Sequence, residues 1–307
     1  MLKITGLKKS YKKFQVLRGL NMSVDRGDVY GLIGTNGCGK TTTMNIICNV
    51  IPKDEGDVAF ESDSIKIGYL PESPALYGYM NGFEYLDYIA ACCDYDGDIK
   101  TRTAEVLSAT GMIDGAKRLI RGYSRGMNQR IGIAAAMYAK PDLLILDEPT
   151  SALDPQGRAE VMEIITRLAA AGSTIILCTH ILTDVERVAN KVGILQGGVM
   201  VVEGPLQEIK RRYEGSVALN IELRNAIETT HPIFSMHILA RSEIWRGGIT
   251  LYARLGVTED ELFHTAIATL AEYKILPESV SFRRLPLEQI YIGVCSGMLA
   301  PAPPMAY

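Results

Sequence analysis

Two alternating runs open the chain. In LKITGL (2–7) and VLRGLNMSV (16–24) apolar residues recur at the spacing of half-buried strands and predict an antiparallel pair. DVYGLIG (28–34) is apolar almost throughout, as in a strand buried on both faces of a parallel sheet. A helix is predicted over 39–50 and a strand in IKIGYL (65–70). GFEYLDYIAACCDYD (82–96) and IKTRTAEVLSATG (99–111) have the periodicity of two helices, and YSRGMNQRIGIAAAMYAKP (123–141) reads mostly as a third. DLLILDEP (142–149) predicts a buried strand ending in carboxylates. GRAEVMEIITRLAAAG (157–172) predicts a helix with a glycine stop, and STIILCTH (173–180) the next strand. This alternation predicts a mainly parallel α/β sheet with helices on both faces, and ligands at the carboxyl ends of its strands.

From about residue 216 the pattern changes. SVALNIEL, FSMHILAR, GITLYARL and SVSFRRL read as strands, TEDELFHTAIATLAEY as a helix, and PLEQIYIGV as a short closing segment. With a weakly patterned helix at 225–232, this predicts a βαββαβ, ferredoxin-like α+β module over 216–295. The Pro- and Ala-rich tail, 296–307, is expected to be flexible.

Composition narrows the partners. With 32 basic and 35 acidic residues the net charge is −3, so neither nucleic acid nor an anionic surface is suggested as the main partner. The six cysteines lack paired metal-type spacing, which fits a reduced, cytoplasmic setting. The longest apolar candidate, IGIAAAMYA (131–139), is closed by Lys140, Pro141 and Asp142, far short of the ~18 residues of a membrane span.

The chemistry starts at GLIGTNGCGKTTT (31–43). Gly34, four residues, then Gly39-Lys40-Thr41 is the P-loop spacing: backbone N–H groups wrap the phosphates of a nucleotide at a helix N-terminus. Asn36, Gly37, Cys38, Gly39, Lys40, Thr41 and Thr42 are the candidate phosphate-binding residues, with Lys40 reaching the terminal phosphates and Thr41 ligating Mg²⁺.

Further stretches make the likeness specific. GTNGCGKTT, LLILDEPTSALD (143–154), YSRGMNQR (123–130) and the histidine closing LCTH together resemble the nucleotide-binding subunit of an ABC (ATP-binding cassette) transporter of the type-two exporter group, over residues 1–215. The resemblance implies a P-loop ABC ATPase core with an N-terminal antiparallel β subdomain and a helical insert at about 73–140. It implies ATP and Mg²⁺ as cofactors. Asp147 would hold Mg²⁺ with Thr41, and Glu148 would be the general base. His180 would contact the γ-phosphate, and Tyr11 would stack on adenine. Glu72 stands where the family usually has glutamine and is a further metal candidate. Ser124 and the Gly126 backbone, in a variant of the signature motif with Tyr123, Arg125 and Met127 as departures, would hold the γ-phosphate of a partner cassette.

The partners so implied are a second copy, meeting head to tail, and transmembrane permease subunits docked on the helical insert. The chain is then expected at the cytoplasmic face of the membrane. The alternative is a soluble ABC ATPase acting on a non-membrane machine such as the ribosome. Members of that kind carry two cassettes in one chain or a very long coiled coil, and this sequence has neither.

Overall fold

The computed structural model describes residues 1–214, 217–225, 227–254, 256–283 and 285–296. They form two compact units, Met1–Leu206 and a second beginning at Gln207. In the first the elements run β1 (Leu2–Tyr11), β2 (Phe14–Val24), β3 (Val29–Ile33), α1 (Lys40–Ile47), β4 (Glu55–Phe60), β5 (Ile67–Leu70), α2 (Gly82–Cys92), α3 (Ile99–Ala109) and α4 (Arg125–Ala136). They continue β6 (Leu143–Asp147), α5 (Pro155–Ala170), β7 (Thr174–Thr179), α6 (Leu182–Val188), β8 (Lys191–Gln196) and β9 (Val199–Pro205).

The expected α/β architecture is present, with two sheets in this unit. A three-stranded antiparallel sheet has the order β2-β1-β4, and a six-stranded sheet the order β5-β6-β7-β3-β8-β9, parallel except for β9. Every residue of β3, β6 and β7 is buried, which accounts for their unbroken apolar runs. Leu7, Leu17 and Leu20 of the antiparallel sheet share one core with Met44 of α1 and Leu143, Ile145 and Ile176 of the parallel sheet. Each such side chain contributes about 1.5–3 kcal/mol. The insert has its own core, in which Leu86, Leu107 and Ile131 join α2, α3 and α4. An Asn81–Glu84 capping box starts α2.

The strand order decides where the chemistry goes. β5, β6, β7 and β3 are neighbours with aligned ends: Leu70 pairs with Leu146, Asp147 with Cys178, and Ile33 with Thr179. The segments leaving the carboxyl ends of these strands carry Glu72, Asp147 with Glu148, His180, and the P-loop.

The next helix, α7, spans Leu206–Glu214. In the second unit β10 (Ala218–Leu223), β11 (Leu239–Trp245), β12 (Gly248–Ala253) and β13 (Pro277–Phe282) form an antiparallel sheet of order β11-β12-β10-β13, with helices α8 (Glu259–Glu272) and α9 (Leu287–Cys295). Leu219, Ile221, Leu251, Leu262 and Ala266 pack its core. The helix expected at 225–232 does not form among the described residues; a single 3-10 turn spans Pro232–Ser235 instead. Pro232 holds His231 in extended backbone (ψ 137°), and two β-branched threonines precede it, so a helix has no way through. The tail from 297 lies outside the described residues.

Candidate functional site

The loop between β3 and α1 is built by conformations that side chains resist. Gly37 has φ 81° and Gly39 φ 114°. A Cβ on Gly39 would also lie 2.6 Å from Leu17 Cδ2, so glycine there lets the loop close against β2. Gly39 caps α1 without any side-chain hydrogen bond, which leaves the helix N-terminus to another acceptor. Asn36, Gly37 and Thr41 are exposed and Thr42 half-buried, whereas Cys38, Gly39 and Lys40 are buried. Lys40 Nζ donates to Gly34 O at 2.7 Å and lies 3.6 Å from Glu148 Oε1.

Glu148 is the first residue beyond β6. It adopts φ 50°, rare outside glycine, and its N–H donates to Cys178 O at 2.8 Å. This turn buries the carboxylate to 5% exposure beside the end of β7. Thr179 Oγ1 donates to Glu148 Oε2 at 3.2 Å, and His180 Nδ1 lies 3.0 Å from Oε1. The side chain of His180 is half exposed. The structure thus gathers Lys40, Glu148 and His180 into one hydrogen-bonded and ion-paired group. The sequence reading omits Thr179; its signal is a threonine closing the apolar run IILC, directly before His180.

Asp147, the last residue of β6, is fully buried, and neither carboxylate oxygen has a hydrogen-bond partner. Burial raises its pKa above the ordinary 3.8, and the charges of Glu148 and Glu72 push the same way; the Thr41 hydroxyl, near the carboxylate though short of a formed hydrogen bond, and Lys40 oppose them. An unpartnered buried carboxylate with a hydroxyl beside it suits a divalent cation. Among the described residues no cluster of three or more His, Cys, Asp or Glu could hold a metal alone, so further ligands would have to be water or phosphate oxygens.

The raised pKa has a consequence for stability. The folded chain binds a proton at Asp147 more tightly than the unfolded chain, so the ionised carboxylate destabilises the fold. That penalty is absent below 3.8, grows as pH rises through the folded pKa, and is complete above it. Asp147→Asn is therefore expected to raise the Tm of the nucleotide-free chain at about pH 8, by a margin that shrinks toward about pH 4. Calorimetry at both pH values checks this; a lower Tm for the variant at the higher pH would contradict it.

Ser124 and Gly126 belong to a second locus. Ser124 caps α4, its Oγ accepting from Met127 N–H at 3.2 Å. Arg125 Nη1 donates to Ala152 O at 3.5 Å, and Gly126 packs against Gly157 of α5. Ser124, Arg125, Gly126, Asp154 and Gly157 line a cavity of about 510 Å³. Ser124 therefore faces the 151–154 loop, and among the described residues its side chain has no hydrogen bond to the P-loop.

Two candidates stand at the rim. Tyr11 ends β1 at the β1–β2 turn, 47% exposed, its ring 5.8 Å from Lys9 Nζ. Glu72 is exposed after β5; its carbonyl accepts from Gln129 Nε2 at 3.2 Å, and its carboxylate acts on Asp147 through charge.

A family profile described as ABC transporter matches residues 17–151. The chain is similar to the lantibiotic transport ATP-binding protein SrtF of Streptococcus pyogenes, 37% identical over 74% of this chain and 97% of that protein. It is also similar to the daunorubicin/doxorubicin resistance ATP-binding protein DrrA of Streptomyces peucetius, 33% identical over 73% of this chain and 71% of that protein. Among solved structures, an ATP-binding subunit of an ABC transporter aligns with TM-score 0.62 and 29% identity, over 70% of this chain and 93% of that one. The MJ0796 cassette, a dimer in a post-hydrolysis state with ADP and Pi, shares the fold at TM-score 0.60 and 24% identity, over 67% of this chain and 99% of that one.

Proposed function

The chain belongs to the ABC transporter family as an ATP-binding subunit, and from that premise we propose that two copies close head to tail on ATP and hydrolyse it to drive an exporter. The observation that carries this reading is that the cavity lined by Ser124 contains no residue of the P-loop and none of Asp147, Glu148 and His180. The P-loop, Asp147, Glu148 and His180 lie at the carboxyl ends of β3, β6 and β7, while Ser124 and the N-terminus of α4 face the 151–154 loop. A helix N-terminus with a hydroxyl cap suits a γ-phosphate, and a second copy can bring it there.

In this reading the P-loop N–H groups and Lys40 bind the triphosphate, and Tyr11 supports the base. A triphosphate offers Lys40 a charged acceptor in place of the neutral Gly34 carbonyl, and competes with Glu148, which lies 3.6 Å away, for the same ammonium. Glu148, so released, orients and deprotonates the attacking water, while His180 holds the carboxylate and reaches the γ-phosphate. Thr41 and Asp147, with Glu72 nearby, would hold Mg²⁺, which neutralises charge on the phosphate oxygens.

We read 1–215 as the nucleotide-binding domain and 216–295 as a ferredoxin-like accessory module. The strand order β11-β12-β10-β13 with α8 between β12 and β13 supports that label, with the first helix reduced to the Pro232–Ser235 turn. Among the described residues no helix is long and apolar enough to cross a membrane; in this reading separate permease subunits form the membrane path. On the insert, Tyr77, Tyr79 and Tyr88 are exposed, and Tyr77 lies 5.8 Å and 5.3 Å from the rings of Tyr79 and Tyr88. This aromatic surface suits docking of a permease at the cytoplasmic face. Relatives named for lantibiotic transport and drug resistance support export as the direction.

The full chain is expected to co-purify with a polytopic permease from detergent-solubilised membranes. Recovery on ribosomes, with no membrane protein attached, would overturn the transport reading.

A further inference from the structure

Asp184, in the first turn of α6, is 4% exposed and gathers donors from two other segments. Its Oδ2 accepts from Thr150 Oγ1 at 2.6 Å, and its Oδ1 accepts from Arg158 Nε and Nη2 at 2.9 and 2.7 Å. Arg158 Nη2 also donates to Thr183 Oγ1 at 2.6 Å. Thr150 is 2% exposed and follows Glu148 by two residues. Arg158 lies in the first turn of α5, just beyond the 151–154 loop, and α6 begins two residues after His180. One carboxylate therefore ties together the turn that carries Glu148, the exit of the loop facing Ser124, and the segment that carries His180.

We infer that Asp184 is a positioning residue for ATP hydrolysis, fixing Glu148 against His180 and coupling both to the 151–154 loop. The inference rests on the reading of Glu148 as the base. Glu148 holds φ 50°, a strained conformation for a non-glycine residue that persists where surrounding bonds over-determine it. The backbone bond to Cys178 O is one such restraint, and the Thr150–Asp184 bond two residues on is another. The carboxylate gives Arg158 a charged acceptor. An asparagine could still place its Oδ1 toward Arg158 and its NH₂ toward the Thr150 hydroxyl, but it would exchange an ion pair for a neutral acceptor and reverse the Thr150 bond. The Arg158 side chain is 35% exposed and can turn to water, so losing the pair loosens the turn without leaving a buried cation.

Asp184→Asn in the full chain is expected to lower kcat about 10- to 100-fold, as misplacement of catalytic groups does. KM for MgATP should stay within about twofold, because the phosphate cradle is untouched. Asp184→Glu should recover part of the rate by restoring the charge. Amide hydrogen exchange should quicken over 148–154 and stay unchanged over 29–47. A full-rate Asp184→Asn protein, whatever its Tm, would overturn the inference. Glu148→Gln measured in parallel separates the two ideas. If Glu148→Gln is inactive and Asp184→Asn runs at full rate, the positioning role alone fails; if Glu148→Gln turns over normally, the base assignment fails and the positioning role with it.

Discussion

Glu148→Gln is expected to lower steady-state ATP turnover by about 10²–10⁴-fold, the usual contribution of a general base, while MgATP still binds. The amide keeps the shape of the glutamate and its place at the end of β6, so the turn at φ 50° and the donor from Thr179 can persist. What it loses is the ability to take a proton from water. Binding depends on a different part of the site, the glycine loop and Lys40, whose closest partner is the Gly34 carbonyl rather than Glu148. Turnover and calorimetric affinity should therefore separate in this variant. An ATP-bound dimer should accumulate, because closure would no longer be undone by hydrolysis. Unchanged turnover in the purified variant would remove Glu148 from the role.

Much of this site can be read along the sequence because its parts are local. The P-loop is a run of consecutive residues whose glycines answer to backbone conformation and close packing, as Gly37 and Gly39 do. LLILD is five buried positions ending in the carboxylate, and its apolar run marks the strand and its end. What escapes is held by contacts across space. β4 is an edge strand with only Val58 and Phe60 half-buried, too few to give an alternating signal. Residues 181–214 hold α6, β8, β9 and α7, for which the sequence reading assigns no elements. The Thr150–Asp184–Arg158 network links residues whose proximity depends on the fold. The failed helix at 225–232 shows the opposite error, a fold-level expectation placed on residues whose local chemistry ends in His231-Pro232.

The composite site is the centre of this account, and Ser124 is where it is most exposed to test. Ser124 caps α4 through its bond from Met127 N–H, so its removal alone would cost about 0.5–2 kcal/mol of stability. A helix cap with no other duty predicts that dimer formation is otherwise unaffected by Ser124→Ala and by larger side chains. A γ-phosphate site predicts that Ser124→Arg fills the space the partner's nucleotide needs, while the P-loop of the same chain still binds ATP. The direct measurement is the size of the Glu148→Gln protein in MgATP, with and without Ser124→Arg. The account predicts an ATP-dependent dimer for Glu148→Gln and a nucleotide-bound monomer for the double variant; a double variant that still elutes as an ATP-dependent dimer would contradict it.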